Sequence, residues 1–250
     1  QMPDEKSRKQ IMTALDKVMD KIEKNQKPDG TWAREGWAPT LSQAMASKAI
    51  NRVSQSGVAV DETVRRRAED YARSQFDRKN ASFSADGSAG VALYAWSASL
   101  GAMQDSSNTN ALMEVQARRK LQVATTQAER EEAKKTLDRI EATRNDLQQA
   151  QAAVVSKLGD ERFIAGFGSN GGEEFLSYMN IGESLVVKGG PEWEKWDKSM
   201  TENLNQIQNQ DGSWTGHHCI TGRTFCTSAA LLVLTVDRAP VPVAGQMRRR

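Results

Sequence analysis

Gln26-Lys27-Pro28-Asp29-Gly30-Thr31-Trp32 and Gln208-Asn209-Gln210-Asp211-Gly212-Ser213-Trp214 are one pattern written twice, Q-x-x-D-G-[ST]-W. A seven-residue pattern with this many constrained positions rarely recurs by chance in one chain. The polypeptide therefore reads as a repeat protein, and a repeat decides the fold before other signals do. Each constrained position has a physical job. The glutamine closes a polar helical stretch, where its amide can serve free backbone groups at a helix end. Asp-Gly makes a tight turn, because Asp bonds nearby backbone and Gly takes positive φ without steric cost. The hydroxyl of Thr31 or Ser213 holds the following amides. Trp32 and Trp214 each bring a broad apolar face and one N–H that needs an acceptor.

Outward from these turns the chain reads as helical. Ile11, Leu15, Val18, Met19 and Ile22 share one face of a helix from Asp4 to Asn25. Pro39 and Thr40 open an Ala- and Ser-rich helix through Val53. Gly57 ends that hairpin, and Asp61 caps a third helix through Phe76. Phe83 to Ser88 reads as a degraded copy of the turn, leading into an apolar helix from Ala89 to Met103 with Leu93, Tyr94, Trp96 and Leu100 inside. Phe167 to Gly172 reads as a further copy, with Asn-Gly replacing Asp-Gly, followed by a helix from Glu173 to Val187. Pro191 starts a helix through Gln208. Beyond the second full copy a helix spans Thr221 to Val236, and Pro240 and Pro242 close the domain. Four units of turn plus small-residue inner helix, separated by polar outer helices, predict two layers.

The segment Gln208 to Val236, QNQDGSWTGHHCITGRTFCTSAALLVLTV, is similar to the QW repeat of terpenoid cyclases, the squalene–hopene cyclase type above all, and of protein prenyltransferase β subunits. The resemblance implies an all-α fold, an α/α toroid; with about four hairpins, the ring is expected to be either open and incomplete or closed by the arm or by a second copy. It covers both ends of the chain and not the middle. Residues 1–107 and 159–243 are then the two halves of the repeat domain, 108–158 an inserted helical arm, and 244–250 a basic tail.

The arm is set apart by composition. No Gly or Pro occurs between Gly101 and Gly159, and Gln, Glu, Arg, Lys and Ala dominate. A heptad seam runs through Ala133, Leu137, Ile140, Leu147, Val154 and Leu158, interrupted by Arg144 and Gln151. Two shapes fit: one coiled-coil-like helix on the order of 70 Å long, or a hairpin turning near Thr125-Thr126, where a β-branched pair weakens the helix. A thin seam needs something to pack against, so the arm is expected to serve self-association or a protein partner.

Composition narrows the setting. With 250 residues and a net charge of +2, the chain has room for a sizeable core and too little positive charge to imply nucleic acid. The Arg65-Arg66-Arg67 and Arg248-Arg249-Arg250 runs read as solvated. No transmembrane segment is expected, since Ala229 to Val236 is too short for a span; peripheral lipid contact stays open. A chain that opens on Gln1 is expected to be either processed, which favours a periplasmic or secreted location over a cytoplasmic one, or trimmed. Cys219 and Cys226 leave two readings, a local disulfide or two buried free thiols.

Chemistry is weakly signalled. The cyclases that the chain resembles protonate with a D-x-D-D motif, and none is present; acidic pairs such as Glu173-Glu174 lack that spacing. Aromatic content of 6% is low for a cavity that must stabilise carbocations. Prenyltransferase β subunits hold zinc with Asp, Cys and His, which by resemblance singles out Asp211, His217, His218, Cys219 and Cys226. These lie in one loop rather than on separate repeats, so no cofactor is expected, with zinc the alternative. A Cys219 nucleophile paired with His217 or His218 is a further alternative. His217, His218 and Arg223 are the candidate binding residues, placed at the ring mouth where helix N-termini favour an anionic or peptide ligand. The leading expectation is a non-catalytic helical-repeat scaffold or binding subunit associating through the arm. The alternatives are an enzyme on isoprenoid-type lipids and a zinc or thiol enzyme built on the 217–226 loop.

Overall fold

Four helices start on a short polar side chain, in line with the demand of the first free amides. In the computed structural model, which describes residues 4–32 and 39–238, these caps are Asp4, Asp61, Thr126 and Asp160. In chain order the elements are α1 (Glu5–Lys24), α2 (Pro39–Gln55), α3 (Glu62–Ser74), β1 (Phe76–Asp77), β2 (Ser82–Phe83), α4 (Ala92–Val123), α5 (Gln127–Lys157), α6 (Glu161–Ile164), α7 (Gly172–Lys188), α8 (Pro191–Gln206) and α9 (Arg223–Leu234), closed by a 3-10 turn at Val236–Arg238. The fold is all-α apart from the two-residue strands. No helix among the described residues is long and apolar enough to cross a membrane. The 244–250 tail, with Arg248 to Arg250, and the closing prolines Pro240 and Pro242 lie outside the described residues.

An inner row runs α2, α4, α7, α9, each packed on the next. Small residues permit the close approach: at Gly101 of α4 an added Cβ would stand 2.8 Å from Asn180 of α7. From Leu93 to Ser106, α4 is buried on every side. Outside the row, α3 lies on α2 and α4, α5 on α4, and α8 on α7 and α9. The centre is filled by Leu93, Tyr94, Leu100, Met103, Phe175, Ile181, Leu185 and Leu204, all fully buried. A satellite cluster at the amino-terminal end gathers Met19, Ile50, Val53 and Val64, with Leu15, Ile22, Trp32, Val58 and Val60 against it.

Three expectations need correction. The third helix ends at Ser74, and Phe76 pairs with Phe83 in a small antiparallel hairpin. There Phe76 opens an aromatic chain, Phe76–Phe83–Trp96–Phe163, with centroids 5.0, 5.4 and 5.7 Å apart. On α1 the expected apolar face is covered only in part: Met19 is buried and Leu15 and Ile22 pack against the satellite cluster, while Ile11 and Val18 stay exposed.

The third correction concerns the arm. Its expected boundary at 107/108 falls inside α4, which continues unbroken to Val123. The hairpin form is the one adopted, turning at Ala124 and Thr125, with Thr126 and Glu129 in a reciprocal capping box. The seam residues Ala133, Ile140, Leu147 and Val154 are buried. The two interruptions find polar partners: Arg144 pairs with Glu114, and Gln151 donates to Gln104 Oε1 and Ser184 Oγ, both at 3.1 Å. Further links tie α5 to α3, from Arg139 to Asp70 (2.8 Å), Thr143 Oγ1 to Glu69 (2.8 Å) and Arg73 to Asp146 (2.7 Å). Burial pushes the Asp146 carboxyl up, but Arg78 and Arg73 outweigh it and hold it below the usual carboxylate range. Much of the arm is thus part of the body.

Candidate functional site

The two cassettes adopt the same hydrogen bonds. Trp32 Nε1 donates to Ile22 O at 2.7 Å, and Trp214 Nε1 to Leu204 O at 2.8 Å, ten residues back in each case. Asp29 Oδ1 accepts from the amide and hydroxyl of Thr31 at 3.0 and 2.7 Å; Asp211 Oδ1 does the same for Ser213 at 3.1 and 2.6 Å. Gln26 Nε2 reaches Gly30 O (3.3 Å) as Gln208 Nε2 reaches Gly212 O (2.9 Å). Gly30 and Gly212 take φ of 84° and 81°, as the turn demands. These residues build scaffold.

His217, His218 and Arg223 of the candidate loop take three different settings. His217 is exposed, with its amide donating to Asn170 O at 2.8 Å. Arg223 is spent on Asp211, at 2.6 Å. His218 turns inward, its Nε2 2.8 Å from Ser169 O and 3.2 Å from Glu174 Oε2, with its ring on Phe167. Cys219 and Cys226 are free thiols, the first exposed and the second buried, so the disulfide reading is not the one the structure adopts; Cys226 Sγ instead donates to Ile220 O at 3.4 Å. Local desolvation and the carboxylates of Glu173 and Glu174 raise the Cys219 thiol above its ordinary value, which opposes a thiolate nucleophile.

What gathers here is a different set. Glu173 and Glu174 open α7 directly after the Gly171-Gly172 pair. At both glycines a Cβ would collide with the loop after the second cassette, 2.9 Å from His218 O and 2.6 Å from Ile220. Gly172 N–H donates to Ile220 O at 2.9 Å, so the two loops zip together. Glu174, fully buried, accepts from Tyr94 Oη, from Phe167 N at 3.1 Å and from Gly171 N at 3.0 Å. Burial, then the bond to Glu174, pushes the Tyr94 phenol far up, which keeps it a donor. Among the described residues Glu173, Glu174 and His218 are the group of potential metal ligands whose donor atoms lie within 4.8 Å of one another. Of the five sequence candidates for zinc, only His218 belongs to it. The glutamates were visible as an acidic pair in a first helical turn, but nothing local shows that His218, more than forty residues on, folds over them.

A second charged cluster sits between inner helices. Lys48 and Arg52 of α2 meet Asp105 of α4 at 3.0 and 3.2 Å, and Glu183 of α7 pairs with both cations. Burial pushes the Asp105 carboxyl up against the pull of Lys48. Two acids and two bases balance, so the cluster interlocks three helices. No family model matches the chain, and neither does any curated protein or solved structure.

Proposed function

We propose that the protein is a non-catalytic helical-repeat scaffold, a shortened and open relative of the α/α toroid, whose hairpin tip is its contact element. One observation carries the reading: the root of the hairpin is locked to the body while its tip is left bare. Val115 and Val123 are each 69% exposed, and Leu112 is also exposed. Between the helix ends lies a groove of about 360 Å³ lined by Met113, Ala117, Lys120, Val123, Glu129 and Ala133. Apolar residues grouped on one exposed tip are a contact signature. The filled inner row is further support, since it uses for packing what an enzyme would hold open.

Mass in solution tests this. The native chain is expected to exceed its 27.6 kDa monomer mass as concentration rises, and the V115E/V123E double variant is expected to remain monomeric. A native chain that stays monomeric at high concentration, with amide exchange at the tip as fast as in an unprotected helix end, overturns the contact role.

The second reading, an enzyme on isoprenoid-type lipids, draws on Asp105, an inner-helix acid whose carboxyl is pushed up by burial. Native mass spectrometry showing a polyprenyl lipid bound to the chain, and released in D105N, favours it over the scaffold.

A further inference from the structure

We infer that Glu173, Glu174 and His218 hold one divalent transition-metal ion of the zinc class, which ties the first turn of α7 to the loop after the second cassette. The inference is independent of the scaffold reading. Geometry comes first. His218 Nε2 and Glu174 Oε2 stand 3.2 Å apart, close to the ~3.3 Å edge of a tetrahedron with ~2.0 Å metal–ligand bonds. Glu173 completes the triangle within 4.8 Å.

Charge is the second observation. Glu173 is 3% exposed and Glu174 0%. Among the described residues neither carboxylate pairs with a Lys or Arg, and the imidazole within reach is that of His218. Two adjacent buried carboxylates without a cation are costly, and the N-terminus of α7 offsets only part of that cost. The donors are also under-used. Among the described residues Glu173 accepts a single bond, from Ile220 N at 3.3 Å, and the buried His218 Nδ1 has no partner. A mixed set of imidazole and carboxylate suits zinc, whereas Mg²⁺ and Ca²⁺ take oxygen.

Binding requires one rearrangement. The Nε2 hydrogen of His218 now points to Ser169 O at 2.8 Å. The ion takes its place, and that proton leaves to solvent or moves to Nδ1. Affinity therefore falls in acid, where the imidazole and carboxylates hold protons.

Chelator-stripped full-length protein titrated with Zn²⁺ and with Co²⁺ at neutral pH is the test. One ion per chain is expected, with a raised Tm for the zinc form. Glu173→Gln removes the charge while its amide oxygen can still accept from Ile220 N, and is expected to weaken binding at least tenfold, as is His218→Ala; His217→Ala, altering the exposed neighbour, is expected to leave it unchanged. Circular dichroism establishes that each variant is folded. No saturable binding by the native chain, or binding that survives in the E173Q/H218A double variant, overturns the assignment.

Discussion

The cassettes at Trp32 and Trp214 share the indole, Asp and intra-turn Gln bonds and differ in what surrounds them. Trp214 lies 3% exposed in the main core, bonded to Leu204 of α8 and Thr227 of α9. Trp32 is half-buried against the satellite cluster, beside a first helix with Ile11 and Val18 in solvent. The glutamines diverge too: Gln26 also donates to Val64 O at 2.9 Å, while Gln208 stays exposed. Identical local bonds therefore sit in unequal energetic settings, because neighbours rather than the turn determine burial.

The largest expected effect tests that inequality directly. Trp214→Ala is expected to cost about 4 kcal/mol in urea unfolding, the range for a large aromatic removed from a core, and Trp32→Ala about half of that. Equal costs would mean that the satellite cluster is as tightly built as the core. The glycines are expected to invert the order. An alanine at Gly30 would place its Cβ 2.2 Å from Arg67 O of α3, whereas at Gly212 its nearest neighbour is 4.0 Å away. Gly30→Ala should thus lower Tm well beyond Gly212→Ala, whose cost is only the positive-φ strain of about 1–2 kcal/mol. A smaller contrast separates the glutamines, with Gln26→Ala costing about 1 kcal/mol more than Gln208→Ala for its extra part-buried bond. Smallest of all, Arg223→Ala removes the exposed pair with Asp211, and a thermal melt indistinguishable from the native one is the expected result. A large drop would show that the second cassette depends on this exposed ion pair.

The hairpin and the Glu174 hub show how far local pattern reaches. The turn near Thr125-Thr126 and the seam through Ala133, Ile140, Leu147 and Val154 were readable, since each depends on residues close in sequence. Reading an arm that begins at Asn108 was wrong because α4 changes from buried to solvated surface without any break in its backbone. Composition shifted there, but the helix did not. Partners for Arg144 and Gln151 could not be foreseen, since Glu114, Gln104 and Ser184 lie at least thirty residues away. Phe83 looked like a misplaced tryptophan, and its true companions, Phe76, Trp96 and Phe163, come from three other elements.

The amino-acid sequence by itself determined the helical class, the positions of the turns and the bonds inside each cassette, because these depend on φ preferences and on donors and acceptors a few residues apart. Only the tertiary structure decided that the hairpin root joins the core, that both thiols stay free, and that His218 closes over Glu173 and Glu174. Those outcomes depend on which surfaces meet when the inner row assembles, and no local pattern carries that information.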